Sequence, residues 1–210
     1  MNASSNGAAA ACSTRHPAYV DRRNIRGVWA LSTSEGGAYH HGDLRRSLIA
    51  AAHDLLRSGG VEAVTLREAA RLAGVSHNAP YRHFPSREAL LAALAVEGFR
   101  GLRRALDEAA GGAEPPGRLT ALGRAYLRFA EADRATFRLM FGGVLEIASH
   151  PDLAAAAADA FGTLRSVVAE QAPPPAAERE ALRAWGLVHG LAHLVADRQI
   201  DAARAEACLL

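Results

Sequence analysis

His189, His193 and Asp197 recur at intervals of four residues, which on a helix sets two imidazoles and a carboxylate on one face. Two histidines and a carboxylate in that register could hold a metal ion. No thiolate or further histidine lies nearby in the sequence, so the spacing favours packing, and neither a metal nor a cofactor is expected. Covalent catalysis has less support still. The sequence carries no Gly-rich phosphate loop, no nucleophile elbow and no paired-carboxylate constellation, and its isolated histidines have no nucleophile to serve. Cys12 and Cys208 stand near opposite ends, without metal or redox spacing. The chain is not expected to be an enzyme.

The remaining chemistry is concentrated in GVSHNAPYRHFPSREAL, residues 74–90, which reads as the turn and second helix of a DNA-reading motif. With Ser76 as N-cap, His77, Asn78 and Ala79 take the first three helical positions and Pro80 the fourth. The first amides of a helix have no intrahelical acceptor, so Pro80 forfeits only the bond back to the Ser76 carbonyl. It also biases Ala79 away from helical geometry and should stiffen the first turn.

The elements that must position this stretch are legible from caps and apolar periodicity. In HGDLRRSLIAAAHDLLRSGG, Leu44, Leu48, Ala51, Ala52, Leu55 and Leu56 fall on one helical face, with Gly42-Asp43 at the start and Gly59-Gly60 at the stop. VTLREAARLAG follows, with Thr65 as N-cap and Glu68 completing a capping box. Its apolar face is Leu66, Ala69, Ala70 and Leu72-Ala73, and Gly74 ends it. Ser86 caps a longer helix from Arg87 to about Ala110. A short helix, a glycine-bearing turn and a further helix is helix-turn-helix spacing. Helical segments continue near 118–131, 134–141, 151–170 and 176–197, separated by Gly142-Gly143, His150-Pro151 and Pro173-Pro174-Pro175, with a short tail helix at 201–208. No strand-like alternation occurs, so the fold class is all-α.

Composition bounds the partners. The 24 basic residues, all arginine, nearly balance 22 acidic ones, so attraction to nucleic acid must come from a local patch. No apolar run approaches the ~18 residues of a membrane span, and a cytoplasmic location is expected. Residues 1–41, rich in Ala, Ser, Gly and Asn, are expected to form a disordered extension.

The run RRSLIAAAHDLLRSGGVEAVTLREAARLAGVSHNAPYRHFPSREALLAAL resembles the N-terminal domain of the TetR family of bacterial transcriptional regulators, over residues 42–102. WGLVHG at 185–190 resembles a subgroup whose effector domain carries Trp and then His-Gly near its end. The resemblance implies that the helix after Ser76 enters the major groove, with His77, Asn78 and Ala79 reading bases. Asn pairs bidentately with adenine, His can donate to guanine, and Ala79 would touch a thymine methyl. Arg67 would reach a base or a phosphate. Thr65, Tyr81, His83 and Arg87 match phosphate contacts, which position without specifying. Phe84 and Leu90 would pin the reading helix to the core.

For residues 103–210 the resemblance implies a domain that binds a small molecule and dimerises through the last two long helices. The alanine-rich DLAAAAADAFGTL would permit their close approach. Candidate pocket residues are Phe99, Leu102, Tyr126, Phe129, Phe137, Met140, Phe141, Trp185, His189 and His193, with Trp185 and His189 as polar anchors. The expected protein is a homodimeric regulator of the repressor type, bound to a palindromic double-stranded DNA operator and released by an effector. A DNA-binding activator that senses nothing is the alternative.

Overall fold

The computed structural model describes residues 41–174 and 176–209, with side chains from Leu44 onward. The expectations for the N-terminal extension and Cys12 lie outside the described residues. Among those described, every regular element is helical: α1 (His41–Ala63), α2 (Leu66–Leu72), α3 (Arg87–Gly111), α4 (Arg118–Ala132), α5 (Arg134–Phe141), α6 (Pro151–Ala169), α7 (Ala176–Ala196) and α8 (Ala202–Glu206). No helix among them is long and apolar enough to cross a membrane.

The face predicted for α1 packs inward: Leu48, Ala52 and Leu56 are fully buried, with Leu44 and Leu55 at the margin. Gly59-Gly60 marks a break rather than a stop. Gly60 takes φ 72°, ψ −171°, which glycine adopts at little cost, and one more turn follows to Ala63. The Thr65 hydroxyl caps α2 by accepting from the Glu68 amide at 3.1 Å. The Glu68 carboxylate pairs instead with Arg71 at 2.8 Å, so only half of the capping box forms. α2 ends as glycine predicts: Gly74 is left-handed at φ 69°, and the Val75 amide reaches back to the Ala70 carbonyl at 3.0 Å. Leu72 departs from the expected apolar face and is 46% exposed; in a seven-residue helix, Leu66, Ala69 and Ala70 already fill the inward side.

The stretch after Ser76 departs most from expectation. It is no α-helix capped by Ser76 but a 3-10 turn, Ala79–Arg82, preceded by Asn78 and lacking any side-chain cap. The Ser76 carbonyl accepts from the Ala79 amide at 3.0 Å, a turn that precedes Pro80 and needs nothing from its missing N–H. Pro80 is therefore at the second position of the turn, buried, and its carbonyl takes both the His83 and Phe84 amides at 2.9 Å. The penalty expected for a fourth-position proline does not arise.

α3 begins at Ser86, whose hydroxyl accepts from the Ala89 amide at 3.1 Å, and runs unbroken for 25 residues. The boundary expected between residues 102 and 103 thus falls inside one continuous helix. It packs on α1, α4, α5 and α6. One apolar cluster extends from Leu48 on α1 to Ala205 on α8. Beside it, His53 of α1 meets Asp133, at the α4–α5 junction, at 2.7 Å. Asp133 also caps α5 by accepting from the Thr136 amide at 3.1 Å. Burial alone would push the Asp133 carboxyl up; the His53 and Thr136 hydrogen bonds and the His53 charge outweigh it and hold it below the ordinary carboxylate range.

Candidate DNA-reading head and effector cavity

Arg67 on α2, His77 and Asn78 before the 3-10 turn, and Tyr81 within it line one surface depression. All four are exposed, Tyr81 by 57%, and none has a side-chain hydrogen bond among the described residues. The arrangement offers a guanidinium, an imidazole, an amide and a phenol to whatever docks there. Ser76 and Arg82 are exposed alongside; Ala79, His83 and Thr65 are half-buried. What holds this head is beneath it. Phe84 and Leu90 are buried as expected, and the Arg45 guanidinium of α1 lies 5.2 Å above the Phe84 ring.

The Arg87 guanidinium, expected at a phosphate, is engaged within the chain. Its Nε donates to the Val64 carbonyl at 2.7 Å and its Nη2 to the Val61 carbonyl at 2.6 Å. Glu62 lies 3.6 Å away but is almost wholly exposed and adds little. Arg87 stitches the end of α1 and the residue after it to the start of α3.

The second site is a cavity of about 410 Å³ in the C-terminal half. Of the ten residues predicted for it, Phe99, Leu102, Tyr126, Phe141 and Trp185 line it. Phe129, Phe137, Met140, His189 and His193 do not. Phe137 is fully buried in the core, the Met140 sulfur packs so closely on Gly98 that a Cβ there would meet it at 2.6 Å, and Phe129 sits beside Gly101. The lining missed by sequence reasoning comes from residues that look like ordinary core: Leu106, Leu119 and Leu122, then Ile147, then Ala157, Ala160, Phe161 and Leu164 of α6 and Val188 of α7. The chain end contributes too, for Leu209 lies so close over Gly123 that a Cβ there would come within 2.8 Å. No sequence signal could separate these from core positions, because both share helical apolar periodicity.

At the wall, the Tyr126 hydroxyl and His189 Nδ1 are 2.9 Å apart, and His189 Nε2 is 3.2 Å from His193 Nε2. His189 also packs against Phe141 and Trp185, at 4.7 and 5.2 Å between ring centres. Burial, then the neighbouring His193 charge, pushes His189 down to about 4, so it is neutral near pH 7. Burial pushes the Tyr126 phenol up, against an opposing hydrogen bond from Trp185. Asp197 turns away to Arg138, at 2.7 Å. The two imidazoles therefore meet without Asp197, and no cluster of three or more metal-ligating side chains occurs among the described residues.

An exposed helix-turn-helix joined through one continuous helix to a cavity-bearing helical domain defines a DNA-binding transcription regulator. Residues 48–94 match the model of bacterial regulatory proteins of the tetR family, and residues 119–209 match the tetracyclin repressor-like C-terminal domain. A solved protein of unknown function from Rhodococcus sp. RHA1 is 38% identical, with 83% of this chain and 93% of that one covered at a TM-score of 0.72. A transcriptional regulator from Rhodococcus sp. Rha1 is 25% identical over 79% of this chain and 91% of its own, with a TM-score of 0.61. A regulatory protein in the tetR family from Rhodococcus RHA1, 22% identical over 79% and 96%, shares the fold at 0.57. No curated protein matches the chain. The chain belongs to the TetR family of bacterial transcriptional regulators.

Proposed function

We propose that this chain is a homodimeric, one-component repressor of the cytoplasm, with residues 42–102 reading a palindromic operator and residues 103–210 binding an effector that releases it. The observation that carries the reading is the common exposed depression of Arg67, His77, Asn78 and Tyr81. His77, Asn78 and Ala79 approach base edges, Arg67 a guanine or a phosphate, and Thr65, Tyr81 and His83 the backbone. Arg87 acts at one remove, by fixing the head. The dimer forms through α6 and α7. Leu182 and Leu187 of α7 are half exposed, and Gly186 and Gly190 between and beyond them have open space where a Cβ would project, so a second helix can approach closely. A cavity left open, rather than filled by side chains, favours sensing over the activator that senses nothing.

Selection of bound DNA from a random pool, followed by footprinting, tests this reading. The expected footprint is two inverted half-sites about one helical turn, ~34 Å, apart, with salt-sensitive affinity. Absence of salt-sensitive binding to any selected sequence would refute it.

A further inference from the structure

Resting on the reading of the C-terminal cavity as an effector site, we propose that its ligand is an uncharged, largely apolar molecule bearing one hydrogen-bonding oxygen, and that the Tyr126 hydroxyl recognises that oxygen. Among the described residues, no lining side chain carries a formal charge, and those able to hydrogen-bond are Tyr126, Trp185 and Cys208. A carboxylate or ammonium entering here would give up its hydration with no opposite charge to meet it. A neutral molecule avoids that loss and gains from burial against Phe99, Leu122, Phe161 and Leu164. The volume is within the ~300–1,000 Å³ of small-molecule sites.

Tyr126 is 4% exposed, so its hydroxyl cannot be satisfied by bulk water. Its partners are the Trp185 indole, which donates to it, and His189 Nδ1 at 2.9 Å, where the role each group takes depends on the imidazole tautomer. With His189 protonated at Nε2, the phenol donates to Nδ1 and offers the cavity a lone pair, which suits an alcohol. With His189 protonated at Nδ1, the imidazole donates to the phenol, and the O–H is free to turn to a ketone or an ester carbonyl. His193 Nε2 stands beside His189 Nε2 in either arrangement, as acceptor in the first and donor in the second. Both arrangements are neutral, so neither buries a charge.

The test is calorimetric titration of the full-length protein with four probes of one shape: 2-acetylnaphthalene, 2-naphthol, 2-ethylnaphthalene and 2-naphthoate at pH 8. At least one of the two neutral oxygenated probes should bind about tenfold more tightly than 2-ethylnaphthalene, the yield of one net hydrogen bond, and 2-naphthoate should bind weakest. Tyr126→Phe should abolish the oxygen preference and leave 2-ethylnaphthalene affinity unchanged. Equal affinities for the three neutral probes, tightest binding of 2-naphthoate, or an oxygen preference that survives Tyr126→Phe would each overturn the assignment. So would silence from all four probes in protein that still binds its selected DNA, and that result would leave the operator reading standing.

Discussion

Removing the Arg87 side chain separates two roles that the sequence leaves joined. The guanidinium makes two charge-assisted hydrogen bonds, to Val64 and Val61. Each such bond is worth about 1.5–3 kcal/mol when sheltered. The side chain is 39% exposed, so water replaces part of that loss, and Arg87→Ala should cost about 1–3 kcal/mol in total. With a urea slope of about 2 kcal/mol/M, the unfolding midpoint should fall by roughly 0.5–1.5 M. Arg87→Lys keeps the charge but not the two-pronged geometry and should recover less than half of the loss. DNA affinity should decline equally for all sequences because the head is less well held, while the salt dependence stays unchanged. A phosphate ligand behaves otherwise: its removal leaves the midpoint alone and lowers the salt slope by about 0.9 per contact. An unchanged midpoint with a reduced slope would refute the structural role assigned here.

Three further outcomes follow. Asn78→Ala should relax preference at one or two operator bases by about 1–3 kcal/mol without moving the urea midpoint, as read by binding to a panel of single-base operator variants. Phe137→Ala should destabilise by about 3–5 kcal/mol in chemical unfolding, whereas Phe161→Ala, at the cavity wall, should cost less and enlarge the cavity instead. Acid should weaken the fold in two windows. His189 has a folded value near 4 against 6.5 in the open chain, so the unfolded state binds the extra proton and stability falls as pH drops from about 6.5 towards 4. Asp133 is depressed, so its contribution is present above the open-chain value of about 3.9 and is lost as pH falls through its lower folded one. Urea midpoints at pH 7, 5.5, 4 and 3 should decline stepwise, and His189→Leu should flatten the upper window alone.

Most helix boundaries were legible because they are local chemistry. Thr65 and Ser86 cap where their hydroxyls predict, and Gly74 turns the chain where its missing Cβ allows. The 3-10 turn was not, because Ser76 satisfies every rule for an N-cap and only the buried packing of Pro80 shows that the helix never starts there. The intrachain bonds of Arg87 were hidden for a similar reason. A surface-facing arginine at a helix start looks the same whether its partner is a phosphate or two carbonyls more than twenty residues earlier. Phe137 and Phe141 are one turn apart on α5, yet one is core and the other cavity wall. The His53–Asp133 bond joins positions 80 residues apart, beyond any helical period.

On the proposed mechanism the unbroken α3 would act as a lever arm. Arg87 and Phe99 are on the same rod, twelve residues or about 18 Å apart at 1.5 Å per residue. A tilt of about 5° where Phe99 borders the cavity would swing the other end by roughly 1.5 Å. In a two-fold dimer both arms swing together, so the spacing between the reading heads changes by up to about twice that. Such a shift is enough to take two hydrogen-bonding sets off register with successive major grooves. In the proposed dimer, the helix that contributes Phe99 and Leu102 to the cavity wall would thus also set the distance between half-sites.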